Sequence, residues 1–234
     1  MFEEYKYKIE LHCHTAPFSG CSDISSPEMI RYYREAGYEG LVLTNHLSPF
    51  EFKNAKKYNK YLDEMMEDFE FLCDLGERAG IRVYLGAELR FPESFNDYLL
   101  YGIDEEFLRN IPLDCNTPET FAPYLKSHRD ILFIQAHPFR NGMTLCDPAL
   151  LDGIEVYNLH PNHNSRIGFA AKYAEEEGFR VSTCGTDFHH LGQSALTALL
   201  TRELPENEKE LARCIREEQV YKVGNSIVTF SLKK

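Results

Sequence analysis

Tyr7-Lys8-Ile9-Glu10-Leu11-His12-Cys13-His14 is a strand-like segment that ends in two histidines. Side chains two positions apart on a strand point to the same face of the sheet. His12 and His14 can therefore share one face, while Cys13 points to the opposite face. Imidazole nitrogens are common ligands of divalent metals, so the end of this strand is a candidate metal site.

Four further polar clusters each follow an apolar, strand-like run. The runs are 40–44, 82–87, 131–136 and 180–184, and the clusters are Asn45-His46, Glu88, His137 and Asp187-Phe188-His189. Asp187 and His189 repeat the spacing of two. If the strands run parallel, their carboxyl ends gather at one rim, which is where barrels of this kind carry their chemistry. The sequence thus predicts that residues far apart in the chain converge on one metal site.

Length and composition predict one enzyme-sized domain. The chain has 234 residues, 43% of them hydrophobic, which is enough for one substantial core in a single domain spanning 1–234. The formal net charge of −12 argues against extended nucleic acid or an anionic membrane surface as a partner. A small-molecule substrate fits this charge better.

The sequence also predicts a cytoplasmic location. No apolar run approaches the roughly 20 residues of a membrane helix, and the first residues lack the apolar core of a signal peptide. The seven cysteines form no Cys-x-x-Cys pair, which favours a reducing compartment. The oligomeric state is left open.

Helix and strand signals alternate along the chain. Helices are expected from Ser26 to Gly37, over 54–78 with a stop at Gly80, near 117–119, over 165–177 and over 206–218. Further strands are expected at 97–103 and 152–157, and a hairpin at 220–223 and 227–232. This alternation gives about seven β/α units and favours a parallel α/β architecture, either a barrel or an open sheet.

Five motifs occur in an order that resembles the PHP (polymerase and histidinol phosphatase) family of metal-dependent phosphoesterases. They are His12-Cys13-His14, Thr44-Asn45-His46, Gly86-Ala87-Glu88, Ala136-His137-Pro138 and Gly185-Thr186-Asp187-Phe188-His189. The resemblance implies an α/β fold of the PHP type, a distorted (β/α)7 TIM-like barrel. It also implies two or three divalent metal ions, which for imidazole and carboxylate ligands means zinc, manganese or iron.

The resemblance implies seven metal ligands distributed over three sites. They are His12, His14, Glu88 and Asp187 for the first site, Glu88 and His137 for the second, and His46 and His189 for the third. Glu88 would bridge the first two sites, since one carboxylate can bind two cations held about 3.5 to 4 Å apart.

Three positions depart from the family pattern. Many members supply a further third-site ligand after the first histidine pair, and here Asp23 or Cys21 is the candidate replacement. A histidine that often follows the strand of the glutamate is absent, and its counterpart is the stretch 97–102. Asn45 stands where an aspartate usually precedes the histidine, which removes a possible supporting carboxylate. The second and third sites are thus each one ligand short.

Other polar residues on the same rim are candidates for contact with the substrate. Arg140 could reach a phosphate with its planar fork of donors. His160 follows the strand 153–158 and could contact the substrate or supply a proton. Together with Asp187 these two are the predicted catalytic residues, and His189 is a second candidate proton donor.

Four weaker candidates complete the list. Arg90 could pair with an anion or a carboxylate, Asn158 lies near the predicted site, and His163 and Arg166 follow on the same loop. His128 and His190 are expected to be structural, because His128 precedes its strand and His190 should face away from His189.

The expected activity is hydrolysis of a small phosphorylated metabolite or nucleotide by a metal-activated hydroxide. Two alternatives stay open. The same ligands could polarise a carbonyl in an amidohydrolase-type reaction, although no suitably placed lysine is found. A PHP-like domain without catalysis, serving regulation, is the other.

Overall fold

The computed structural model describes residues 2–16, 18–193 and 195–230. Twelve strands lie in this part of the chain: β1 (Tyr7–Cys13), β2 (Gly40–Leu43), β3 (His46–Leu47), β4 (Arg82–Leu85), β5 (Ala87–Arg90), β6 (Asp97–Tyr101), β7 (Leu132–Gln135), β8 (Gly153–Asn158), β9 (Val181–Gly185), β10 (Thr197–Thr201), β11 (Val220–Val223) and β12 (Ser226–Thr229). It also contains six α-helices: α1 (Ser26–Glu35), α2 (Ala55–Ala79), α3 (Glu105–Arg109), α4 (Pro118–Leu125), α5 (Ile167–Glu176) and α6 (Glu208–Glu217).

The strands form two six-stranded mixed sheets in an α/β fold. The first has the order β12-β11-β10-β1-β2-β4 and the second the order β3-β5-β6-β7-β8-β9. The pairs β1/β2, β2/β4, β3/β5, β7/β8 and β8/β9 are parallel, as predicted. The predicted parallel architecture does not extend to β6, which runs antiparallel to β5 and β7, or to β10, which runs antiparallel to β1.

Short connections account for part of this difference. The loop 91–96 joins β5 to β6 without a helix, and a parallel crossover needs a dozen residues or more. Strand β10 was not predicted, and the sequence expectation passed from the Asp187 cluster directly to a helix. The predicted hairpin is present as β11 and β12, but residues 231–232 of the predicted second strand lie outside the described residues.

One predicted strand is in fact two strands in different sheets. The run 82–87 divides at Gly86, so that β4 joins the first sheet and β5, which carries Glu88, joins the second. A Cβ at Gly86 would lie 2.7 Å from Val42 Cγ1 and 3.2 Å from the carbonyl oxygen of Leu100. Only glycine fits where the chain passes between these neighbours, and this passage places Glu88 inside a strand rather than after one.

The helix ends follow the sequence signals closely. Helix α1 begins at Ser26, where the Glu28 carboxylate accepts a hydrogen bond of 3.1 Å from the backbone N–H of Ser25. Helix α2 begins after Asn54, whose side chain accepts from the N–H of Lys57, and ends at Gly80 with φ +75°. None of the helices in the described ranges is both long and apolar enough to span a bilayer.

An apolar cluster that draws on both sheets supports the polar residues. Leu11 and Val42 from the first sheet and Leu99 and Ile134 from the second are all fully buried in it. Burying one such side chain contributes about 1.5–3 kcal/mol. Leu11 comes directly before His12 in the chain, so the backbone next to the first histidine is fixed by the packing of the core.

Candidate metal centre

Glu88 lies between four of the predicted histidines. Its Oε1 is 3.3 Å from His12 Nε2 and 3.1 Å from His137 Nε2. Its Oε2 is 3.4 Å from His14 Nε2 and 2.9 Å from His46 Nδ1. Each oxygen of this buried carboxylate therefore faces a different pair of imidazoles, which is the arrangement that a bridging carboxylate needs.

Asp187 joins the same group from the other end of the chain. Its Oδ1 lies 3.5 Å from His12 Nε2, 3.4 Å from His14 Nε2 and 3.4 Å from His189 Nδ1. Backbone hydrogen bonds hold the two motifs together: His14 N–H donates to the Phe188 carbonyl at 3.0 Å, and Phe188 N–H donates to the His12 carbonyl at 3.3 Å. The end of β1 and the segment after β9 are thus paired side by side.

Two of these polar residues have a backbone conformation that is rare outside glycine. His137 has φ +28° and Asp187 has φ +54°. A non-glycine residue held at positive φ costs on the order of 1–3 kcal/mol and persists where the surrounding structure imposes it. Both turn their side chains toward Glu88 and His12, so the unfavourable backbone coincides with the polar cluster.

A buried carboxylate that the sequence analysis missed orients the first histidine. Glu155 Oε1 is 2.9 Å from His12 Nδ1, and its Oε2 accepts from the backbone N–H of His137 at 2.9 Å and from Asn158 Nδ2 at 3.0 Å. A carboxylate on one ring nitrogen fixes the tautomer and leaves the other nitrogen free as a ligand. The only sequence signal was an acidic residue inside the apolar strand β8.

Ser19 orients the second histidine, His14, because its hydroxyl is 2.9 Å from His14 Nδ1. Glu10, which the sequence analysis also missed, is fully buried below the cluster. Its carboxylate accepts hydrogen bonds from the backbone N–H of Thr186 at 2.9 Å and from the Thr186 hydroxyl at 2.5 Å, and so connects β1 to Thr186. Burial raises the pKa of Glu10 to about 7, against the lowering effect of these hydrogen bonds. Both residues fix the position of the first motif.

Asp97 occupies the stretch that was expected to lack a histidine ligand. Its Oδ2 is 3.9 Å from His137 Nε2, and ligand atoms of Asp97, Glu88 and His46 lie within 4.8 Å of one another. Arg90 Nε and Nη2 donate to its two oxygens at 2.6 and 2.7 Å, so Arg90 pairs with a carboxylate, one of its two predicted roles. Burial and the charge of Glu88 raise the pKa of Asp97 in spite of this pair.

Cys21, His46 and His189 meet on the solvent side of the cluster. Cys21 Sγ is 3.2 Å from His46 Nε2, while the His189 ring stacks on the His14 ring with centroids 4.2 Å apart. Burial opposes the ionisation of the thiol, but hydrogen bonds with His189 and His46 lower the pKa of Cys21 to about 6. Asp23, the other candidate replacement, is 71% exposed, and its carboxylate pairs with His190 Nδ1 at 3.0 Å.

Arg140 and His160 lie beside Asp187. Arg140 forms an ion pair with the Asp187 carboxylate and donates to Asn158 Oδ1 at 3.1 Å. His160 Nδ1 accepts from the backbone N–H of Asn162 at 3.1 Å, and burial lowers the pKa of this ring to about 4. The His160 ring is therefore neutral near pH 7, with its proton on Nε2, and is better suited to donate a hydrogen bond than to act as an imidazolium acid.

The remaining rim candidates differ in position. His163 is exposed and contacts the His160 ring, with centroids 4.5 Å apart. Arg166 donates to the Phe139 carbonyl at 2.5 Å and to Asn141 Oδ1 at 2.5 Å, so it joins two loops. His128 packs against Phe107 at the opposite end of β7, beside a cavity of about 350 Å³ that none of the metal-ligand candidates lines.

The donor set fits divalent cations. Four overlapping groups each bring three ligand atoms within 4.8 Å: His12, His14 and Asp187; His12, Glu88 and His137; His14, His46 and His189; and His46, Glu88 and Asp97. Within the described residues, buried His12 Nε2, His14 Nε2 and Glu88 Oε2 have no hydrogen bond of good geometry. A buried polar atom without a partner lowers the stability of the fold, and a bound cation would give each of these atoms a partner.

Charge also concentrates here. Burial would raise the pKa of Glu88, but His12 and His46 hold it well below its ordinary value. Burial would likewise lower the pKa of His12, yet Asp187, Glu155 and Glu88 hold it well above its ordinary value. Carboxylates that stay ionised in the interior are the hard oxygen ligands that divalent metals require.

Two solved structures have a fold similar to that of this chain. The chain aligns over 96% of its length with 67% of a two-domain protein from Bacteroides vulgatus ATCC 8482 that contains a predicted PHP-like metal-dependent phosphoesterase, at 15% identity and a TM-score of 0.63. It aligns over 88% with 94% of a candidate metal-dependent phosphoesterase from Bifidobacterium adolescentis ATCC 15703, at 14% identity and a TM-score of 0.51. At these identities the likeness concerns the fold.

The sequence comparisons are more decisive for the family. A search of curated protein sequences finds no match. The family model of the PHP domain matches residues 10–222, a range that contains all five motifs. The chain therefore belongs to the PHP domain family.

Proposed function

We propose that this chain is a metal-dependent phosphoesterase that hydrolyses a small phosphorylated metabolite or nucleotide. The observation that carries the proposal is Glu88, whose two oxygens face separate imidazole pairs at 2.9 to 3.4 Å. A carboxylate in this position can hold two cations at the spacing at which such pairs clamp a phosphate. Family membership points to the same chemistry.

The proposed ligands are the seven of the sequence analysis, with zinc, manganese or iron as the metals. Bound cations would neutralise charge on phosphate oxygens and lower the pKa of a water molecule to near neutrality. His12, His14 and Asp187 would hold one cation, and Glu88 and His137 would hold the next. Asp97, only 3% exposed and oriented by Arg90, is the natural addition to this second site.

The rim residues would bind the substrate. Arg140 lies beside Asp187 with its Nε buried and without a hydrogen-bond partner among the described residues, so its guanidinium has donors to offer to a phosphate oxygen. His160 would donate through Nε2 to the phosphate or to the leaving oxygen. Asn158, which holds Arg140 through Oδ1 and Glu155 through Nδ2, would fix the distance between the two.

We further propose that the two sheets close into the distorted TIM-like barrel implied by the family. Two observations support closure. The chain passes from the first sheet to the second between β4 and β5, and on the other side Cys13 of β1 forms a parallel bridge with Phe188 after β9. The single domain spanning 1–234 is part of this proposal.

Phosphate release is the test. Protein with counted metals, resupplied with manganese, zinc or iron, is assayed with sugar phosphates, histidinol phosphate, nucleotides and an aryl phosphate. We expect turnover with two or more metals bound, and at least about a hundredfold loss in His12→Ala and Asp187→Ala, on the order of what removing a metal-activated nucleophile costs. His128→Ala, at the opposite end of β7, is the matched control and should keep full activity.

Two results would overturn the proposal. Full metal occupancy without turnover on any phosphate ester would favour an amidohydrolase-type reaction or a domain without catalysis. Unchanged hydrolysis in folded His12→Ala and Asp187→Ala variants would remove the assigned residues from the reaction.

A further inference from the structure

Gln193 is a buried residue that follows the last metal motif. It is 5% exposed, and its Oε1 accepts hydrogen bonds from the backbone N–H of His189 at 2.6 Å and of His190 at 3.0 Å. Its own backbone N–H donates to the His190 carbonyl at 3.1 Å, and its carbonyl accepts from the hydroxyl of Tyr32. Because its oxygen is taken by two backbone donors, the NH2 group of the amide must point the other way. Both ends of the Gln193 amide are therefore fixed in direction.

The NH2 group of Gln193 faces His160. Gln193 Nε2 lies 3.5 Å from His160 Nε2, and among the described residues this is its only contact at hydrogen-bond distance. His160 Nδ1 accepts the backbone N–H of Asn162 at 3.1 Å, so the proton of the neutral ring is on Nε2. Both atoms of the 3.5 Å contact thus carry hydrogen, and neither can accept from the other. A buried NH2 group without an acceptor lowers stability unless a ligand supplies one.

Two donors at this separation can share one acceptor. An oxygen about 2.9 Å from each nitrogen, the ordinary length of such a bond, would see the two nitrogens at an angle of about 75°. Phosphate oxygens are strong acceptors that commonly take such bonds. The space beside Gln193 and His160 therefore has the dimensions of a site for an anionic oxygen.

This donor pair lies next to Arg140. Asn158 Oδ1 accepts from the Arg140 guanidinium at 3.1 Å and from the backbone N–H of His160 at 3.2 Å, so one atom holds both residues. The His160 ring also meets the His189 ring edge to face, with centroids 5.5 Å apart. The donors of Arg140, His160 and Gln193 are thus grouped at one side of the polar cluster.

We propose that Gln193 is a substrate-binding residue that, together with His160, holds one oxygen of the substrate phosphate. This inference rests on the proposed phosphoesterase function and adds to it a residue that no sequence motif indicated. The two donors are neutral, and Arg140 supplies the positive charge beside them. Because two backbone N–H groups fix the Gln193 amide, its NH2 group is in place before the substrate arrives, and binding requires little reorganisation.

Gln193→Glu separates substrate binding from structural support. The carboxylate can still accept from the N–H groups of His189 and His190, but it presents an anionic oxygen to the phosphate and competes for the His160 Nε2–H. The probe is inorganic phosphate, whose Kd for the metal-loaded protein is measured by equilibrium dialysis. We expect at least about tenfold weaker binding, the size of one hydrogen bond to a charged group, with the metal content of the wild type.

The same variant should lower kcat/KM by about a hundredfold on any ester that the wild type hydrolyses. Gln219→Glu is the matched control, because it makes the same substitution at the opposite end of β9, where Gln219 Oε1 accepts from the N–H of Ser182 at 3.0 Å. It should bind phosphate as the wild type does.

A double-mutant cycle tests whether the two donors share one oxygen. Gln193→Met and His160→Ala should each weaken phosphate binding, and the double variant should lose less than the product of the two separate losses. Losses that simply multiply would overturn the shared site.

Three further results would overturn the proposal: no measurable binding of phosphate by the metal-loaded wild type, unchanged binding in folded Gln193→Glu, or weaker binding that comes with loss of metal. The last would mean that Gln193 only supports His189. Phosphate binding is measured without turnover, so the donor pair and the phosphoesterase can fail separately.

Discussion

The inner and outer halves of the polar cluster differ in ligand chemistry and in support. The inner half, around Glu88, Asp187 and His137, is fully buried and rich in carboxylates. The outer half, formed by Cys21, His46 and His189, contains imidazoles and a thiol, and its His46 side chain is 31% exposed. The inner ligands are held by strands and buried carboxylates, and Cys21 is held by a loop. Rigid positioning and access to solvent are thus divided between two halves of one site.

The largest expected effect comes from the residue shared by the inner metals. Glu88→Ala removes the oxygens that face His12, His137, His14 and His46, so we expect two bound metals fewer and at least about a hundredfold loss of kcat/KM. Metal analysis and steady-state kinetics measure both. Glu51→Ala, on the nearby short helix 49–51, is a control. If Glu88→Ala retained full metal content, the division into two halves around a bridging carboxylate would be wrong.

An intermediate effect is expected from Glu155→Gln. The amide keeps the shape of the carboxylate but loses the charge that orients His12 Nδ1 at 2.9 Å. Loss of such a supporting partner costs about 10- to 100-fold in metal affinity or activity. Competition with a chelator measures the affinity. We expect the metals held by the other ligands to stay bound, and loss of all bound metal would show that the halves are not independent.

The smallest effect is expected from Arg90→Ala. It frees Asp97 from the bidentate pair, whose guanidinium is 44% exposed and partly screened by water, so we expect a change of only a few-fold in affinity for the second metal. Arg90→Lys keeps the charge without the fork and should lie between the two. A loss as large as that of Glu88→Ala would mean that Arg90 contacts the substrate.

Local sequence patterns predicted the residues that cluster better than the residues that support them. His12 and His14 were recognisable because their spacing of two, at the end of an apolar run, places both side chains on one face of a strand. Glu155 and Ser19 were missed because each acts on a histidine that is distant in the chain or reached through a loop, and no local period encodes such a contact. Cys21 and Asp23 could be separated only once the fold showed that Asp23 turns to His190.

Strand direction was the other limit. The alternation of strands and helices correctly indicated an α/β fold, but the apolar run of β6 reads the same in either direction. Its antiparallel pairing depends on the short loop 91–96 and on the passage at Gly86, where the chain changes sheet. Neither a loop length nor one glycine in an apolar run reveals which partner a strand will find.

The pairing of β1 with the segment after β9 joins regions that are far apart in the chain. His12 and Asp187 come together only late, because the strands between them must first be in place. The backbone hydrogen bonds donated by His14 and Phe188, which pair the two motifs, form at that stage. Contacts of such long range are slow to form, because the entropy of closing the loop is lost first. We therefore expect tight metal binding to arise late in folding, so that uptake of the metal reports a completed fold.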